Sequence, residues 1–176
     1  MPSIVVVTGP PGAGKSAVAA ALVTSFDPGA LVEGDAFFGF LRAGAVAPWL
    51  PAAHEQNEAV IRAAAAAAGR LSAWCTVVYD GVVGAWFLPA FVGAAGVARL
   101  HYAVLLPPAE VCLERVATRP GHDFTDVDAA RHLHADFART RSVAGHVVST
   151  DPDEDAAVVA SRVLSRVRDG SLVWPD

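Results

Sequence analysis

Short runs of β-branched residues alternate along this chain with longer apolar stretches of helical composition. Ser3 to Thr8 reads SIVVVT, the pattern of a parallel strand covered on both faces. Lys15 to Phe26 is apolar almost all round, which predicts a helix buried beside a sheet and ended by Asp27-Pro28-Gly29. A second strand is expected at Ala30 to Glu33. From Ala52 to Leu71 strong helix formers predominate, with polar residues grouped early and six consecutive alanines that suit close packing. Third and fourth strands are expected at Cys75 to Tyr79 and Leu100 to Leu106, and Pro107-Pro108 opens a helix at Ala109 to Thr118. After a polar passage to about Arg141, a fifth strand at His146 to Ser149 and a helix from Asp153 to Arg168 complete the series.

Five strands alternating with helices imply an α/β fold: a parallel sheet, helices on both faces, right-handed crossovers and a ligand crevice at the carboxyl ends of the strands. Gly81 to Ala98 carries no charge and approaches the length that spans a bilayer. Gly84, Pro89, Gly93 and Gly96 interrupt it, which predicts a turn, a short buried helix and another turn, and no membrane partner. A chain of 176 residues suits one domain. The net charge of −5 and the scarcity of basic runs weigh against nucleic acid as a partner. Cys75 and Cys112 are isolated thiols without metal-ligand spacing, and the first residues lack a basic n-region and a cleavage site. A cytoplasmic protein is the expectation.

Chemistry enters directly after the first strand, where GPPGAGKS meets GxxxxGK[ST] with Gly9, Gly14, Lys15 and Ser16 and runs into a helix. Glycines let the backbone curl so that its N–H groups face phosphate oxygens, and the helix N-terminus adds partial positive charge. Gly9, Pro10, Pro11, Gly12, Ala13, Gly14, Lys15, Ser16 and Ala17 are therefore the expected nucleotide-binding residues. Lys15, the sole lysine of the chain, is expected to bridge the β- and γ-phosphates, and Ser16 to place its hydroxyl on Mg²⁺.

Acidic residues stand where the next strands end. Asp35 follows the second strand and is the candidate to accept a proton from an attacking hydroxyl; Asp is also a favoured N-cap for a helix beginning at Ala36, and one residue can do both. Asp80 ends the third strand before Gly81, where a carboxylate could hold a water of the Mg²⁺ shell or contact substrate; an Asp-Gly pair is also ordinary turn chemistry. Glu33 is a reserve carboxylate, expected to share a face with Asp35 by strand alternation. Arg115, Arg119, Arg131, Arg139 and Arg141 cluster in a stretch that suits a mobile lid over about residues 119–140. His122, His132 and His134 have no partner set that defines a metal site.

These motifs resemble those of small P-loop kinases, most nearly the gluconate kinase and shikimate kinase group, with chloramphenicol phosphotransferase as a relative. The resemblance spans nearly the whole chain: GPPGAGKS is similar to the group's Walker A, Asp35 falls where it keeps a substrate-facing Asp, and RVATRPGH resembles the gluconate kinase lid entry. It implies a P-loop NTPase three-layer fold with strand order 2-3-1-4-5 and ATP-dependent transfer to a hydroxyl of a small molecule. It also implies Arg115 beside adenine, Arg119 on phosphate as a catalytic group, and Thr150-Asp151-Pro152 bordering the base, with Thr150 and Pro152 in contact. After Asp35 the segment AFFGFLRAGAVAPWLPAAHEQNE departs from the group, and its Phe37, Phe38, Phe40 and Trp49 suggest an apolar acceptor pocket over about residues 36–60. Phe38 and Gly81 join Asp35 and Asp80 as the expected substrate side. Two other readings stay open: a nucleoside or nucleotide kinase, and a non-kinase module that binds or hydrolyses ATP for regulation. No guanine-reading NKxD motif is present, which favours ATP.

Overall fold

The computed structural model describes residues 3–118 and 126–175. Its central strand, β1 (Ile4–Thr8), is buried at every position because neighbours flank both edges and helices cover both faces. Ile4 and Val6 face one core cluster and Val5 and Val7 the other, as the two-residue period of a strand requires. Around it lie β2 (Gly29–Glu33), β3 (Thr76–Asp80), β4 (Leu100–Leu105) and β5 (Val147–Val148), in the order β2-β3-β1-β4-β5 with every pairing parallel. The expected order and direction are those observed.

A sixth strand, β6 (Val173–Trp174), was not expected and runs antiparallel to β4. It pairs with Leu100 and His101, whereas β5 pairs with Val104 and Leu105, so the two share one edge of β4 end to end. Two-residue strands carry too little pattern to be read from sequence, and β5 itself is shorter than the predicted His146 to Ser149 for the same reason.

The expected helices depart from expectation mainly at their ends, and one further helix, Val127–Arg139, lies where only a polar passage was expected. The P-loop helix α1 (Lys15–Val23) stops three residues early, and Ser25 and Phe26 make turn hydrogen bonds to Leu22 and Val23. Directly after β2 comes α2 (Gly34–Phe38), and a 3₁₀ turn at Pro51–Ala53 leads into α3 (His54–Leu71). The uncharged stretch after β3 contains α4 (Leu88–Ala95), the short buried helix expected there. No described helix is long and apolar enough to cross a membrane. Next come α5 (Ala109–Thr118), α6 (Val127–Arg139), a 3₁₀ segment at Arg141–His146 and α7 (Ala156–Arg168). The last helix begins later than Asp153 because Asp155 caps it, accepting from the Ala157 N–H at 2.7 Å.

One face of the sheet packs on α3 and α4, the other on α1 and α7. The alanine run of α3 does pack: Ala64, Ala65 and Ala68 are buried. Gly69 lets the two helices approach further, since a Cβ there would stand 2.0 Å from the Ala95 carbonyl oxygen of α4.

Candidate functional site

The carboxyl ends of β1, β3 and β4 meet where chain order reverses across β1, and the loop from Gly9 to Gly14 curls there. Gly9 (φ 147°) and Gly12 (φ 80°) adopt backbone angles that other residues rarely take. Both also lie against backbone: a Cβ on Gly9 would stand 2.1 Å from the Leu105 carbonyl oxygen, and one on Gly12 2.3 Å from that of Cys112. The loop is thus seated on β4 and α5. Ala13 is buried, its N–H donating to Pro10 O, and the Lys15 ammonium donates to the same carbonyl at 3.2 Å.

Asp80 closes β3 beside this loop and is only 8% exposed. Burial raises its pKa above the ordinary carboxylate range; a hydrogen bond from Ser16 and the Lys15 charge oppose that rise, and Asp35 and Glu33 add to it. Asp80 Oδ1 is buried and receives no hydrogen bond from the described residues. A buried carboxylate oxygen without a donor, next to a serine hydroxyl, is a donor set that fits hydrated Mg²⁺ held jointly with phosphate oxygens. It does not make a free-standing cation cage, and no group of three His, Cys, Asp or Glu does so among the described residues.

Asp35 lies in the first turn of α2, with Glu33 as N-cap residue. This corrects the expected cap: the helix starts at Gly34, two residues early, so Asp35 does not cap it. Glu33 and Asp35 are also not related by strand alternation, because the backbone turns helical between them. Both nonetheless act electrostatically on Asp80, and the register sets Glu33 beside Asp80 across the β2–β3 pair. Tyr79, buried at 2% exposure, has its phenol pKa raised far above normal by burial and then by Asp35 and Asp80.

Gly81 leads from β3 into a segment pinned to β1. Thr8 Oγ1 accepts from Val83 N at 2.9 Å and donates to Val83 O at 3.3 Å, and Tyr102 Oη donates to that carbonyl at 2.6 Å. Phe87, farther along, stacks with His54 at the start of α3 (5.3 Å). The chain between α2 and α3 is held by α3 itself. Gln56 exchanges two 2.8 Å hydrogen bonds with the Val46 backbone, and Asn57 Nδ2 donates to Pro48 O at 2.6 Å. Phe37 packs toward the core, Phe38 is half-buried, and Phe40 is 72% exposed with Trp49 and Leu50 also outward.

Arg115 of α5 donates to Gly12 O at 3.2 Å and to Pro152 O, joining the P-loop to the chain after β5. Thr150, in that stretch, has a buried hydroxyl with no hydrogen-bond partner among the described residues. Arg162 of α7 holds the stretch from behind through Ser149 O and the Glu154 carboxylate. Arg115 and Pro152 are therefore in direct contact, and Thr150 lies two residues before Pro152 in the same stretch. Arg119 and His122 lie outside the described residues. The expected lid contains α6, which is anchored: Phe137 is buried and meets Trp86 (5.6 Å), and the His134 ring hydrogen-bonds with Pro107 O at 2.8 Å. Arg131, Arg139 and Arg141 are exposed. Tyr79, Thr8, Gln56, Asn57 and Arg162 were not anticipated. Tyr79 and Thr8 sit inside apolar strand runs that mask them, and the amide and guanidinium groups act on backbone, which leaves no sequence motif.

A parallel sheet in this order with a Walker A loop at its centre defines a P-loop nucleotide-binding fold. The sequence model of the AAA domain family matches residues 4–144, and the chain belongs to that family. No curated protein matches the sequence. Among solved structures, a sugar kinase from Janibacter sp. HTCC2649 superposes with a TM-score of 0.72 at 18% identity, covering 96% of this chain and 95% of that one. The tunicamycin resistance protein of Deinococcus radiodurans gives 0.70 at 20% identity (95% and 96%), and a gluconokinase from Sinorhizobium meliloti 1021 gives 0.67 at 21% (97% and 94%). The chain shares its fold with these three proteins.

Proposed function

We propose that the protein is a single-domain, ATP-dependent kinase that transfers the γ-phosphate to a hydroxyl of a small metabolite or antibiotic. The observation that carries this reading is the bare, buried oxygen of Asp80, a carboxylate that interacts with Ser16, Lys15 and Asp35. P-loop N–H groups and Lys15 would hold the phosphates, Ser16 and Asp80 would hold the hydrated cation, and Arg115 with Thr150 and Pro152 would border the base. Bound Mg²⁺ supplies charge neutralisation on the phosphates. Asp35 orients the acceptor hydroxyl and takes its proton as the oxygen–phosphorus bond forms and the bond to the ADP oxygen breaks. Arg119 belongs to this proposal as a phosphate contact on the strength of the motif alone.

Phe38, Phe40 and Trp49 favour an acceptor with an apolar body, and Arg62 of α3 is paired with Glu58 at 2.7 Å. The neighbouring folds named as sugar kinase, gluconokinase and tunicamycin resistance protein support a small acceptor. Two free, buried thiols, Cys75 and Cys112, support a reducing, cytoplasmic setting.

Transfer from γ-labelled ATP across sugar acids, nucleosides and hydroxylated antibiotics tests the reading. Label on an alcohol, lost in Lys15→Ala and reduced in Asp35→Asn, is the expected result. Label on nucleosides alone would move the assignment to a nucleoside kinase. ATP hydrolysis with no labelled acceptor would move it to a regulatory ATPase.

A further inference from the structure

Tyr79 has no role in the chemistry above, yet its placement is unusual. The ring is fixed edge-on against Phe91 (4.8 Å), and its polar end projects between two glycines. A Cβ on Gly34 would stand 2.3 Å from Tyr79 Oη and 2.8 Å from Cζ. A Cβ on Gly81 would stand 2.9 Å from Cε1 and 3.1 Å from Oη. Gly34 immediately precedes Asp35, and Gly81 immediately follows Asp80. The phenol tip therefore touches the backbone at the two points from which the candidate base and the candidate cation ligand depart. A Gly34 Cβ would also meet Asp80 O at 3.2 Å, so α2 and the end of β3 are already in close approach.

We propose that Tyr79 is a positioning residue: its hydroxyl end, wedged between Gly34 and Gly81, sets the separation of Asp35 from Asp80 and hence from the phosphate cradle. The inference rests on the kinase reading for its catalytic consequence, but the spacing itself is structural. Reacting atoms must approach to roughly 3–3.5 Å, and a displacement of about 1 Å costs on the order of a hundredfold in rate. Removing the hydroxyl lets α2 settle inward, whereas a methyl at position 34 pushes it outward. The two changes have opposite sense, so a spacer makes them compensate, and unrelated packing defects would instead add.

Crystal structures, melting temperatures and steady-state kinetics of wild type, Tyr79→Phe, Gly34→Ala and the double variant test this. Gly34→Ala is expected to widen the Asp35–Asp80 separation and to lower kcat about a hundredfold, with KM for ATP unchanged. Tyr79→Phe is expected to lower kcat about tenfold without loss of melting temperature, and to restore the separation and at least about tenfold of kcat when added to Gly34→Ala. Losses that multiply in the double variant, or an unchanged separation in Gly34→Ala, would overturn the proposal. Should Gly34→Ala fail to fold, Gly81→Ala pushes from the other carboxylate and is paired with Tyr79→Phe in the same way. Shifted separations in a protein that labels no alcohol would refute the kinase reading and leave the spacer standing.

Discussion

Lys15 and Asp35 carry opposite ends of the proposed transfer, and their variants separate the two. Lys15→Ala removes the charge proposed to face the phosphates and is expected to cut kcat/KM for ATP by roughly a thousandfold; Asp35→Asn is expected to keep ATP affinity and to lower kcat by about 10²–10⁴. Asp80 adds a pH signature. Its folded-state pKa is raised above the unfolded value, chiefly by burial, so stability is full below the ordinary carboxylate range and falls as pH rises through the raised value. Asp80→Asn should accordingly melt higher than wild type at neutral pH and lose that advantage near pH 4, where calorimetry across pH reads the difference. The Walker residues were legible because fixed spacing and flanking strand and helix define them. The role of Asp35 as cap was misjudged because Gly34 has no side chain to keep the helix from starting against Tyr79.

At the scale of elements, the proposed acceptor side depends on α3 gripping the loop before it. Gln56→Ala removes two hydrogen bonds to Val46 and leaves those backbone groups to find water. The expected outcome is a stability loss of about 1–2 kcal/mol and a raised KM for the acceptor with KM for ATP unchanged. Gly69→Ala tests the α3–α4 contact: helix propensity alone would stabilise by about 1 kcal/mol, but overlap with Ala95 O reverses the sign to a net loss of about 1–3 kcal/mol in denaturant titration. Helix-forming composition located α3 and the Gly and Pro breakers located α4, but their closeness was not legible because it depends on one backbone oxygen from a distant segment. The arginine cluster likewise suggested a mobile lid. Phe137 and His134 tie α6 down through contacts that residue type alone does not announce.

The whole molecule has a sheet whose main order the sequence pattern predicted and whose last strand it did not. Leu172, fully buried just before β6, accepts from the Tyr102 N–H at 2.7 Å. Leu172→Ala should cost about 2–5 kcal/mol and lower the melting temperature by roughly 5–15 °C, read by thermal unfolding, with little change in KM for ATP because β6 lies at the far end of β4 from the P-loop. That antiparallel return has a practical side. It brings Trp174 beside Leu100, while Ser3 O accepts from Val77 N at the start of β1. Both ends of the described chain thus leave from the rim opposite the crevice, about 10 Å apart with only β4 between them. A surface tether attached at either end would present the crevice outward, and a short peptide could join the two ends into a circular permutant without crossing it.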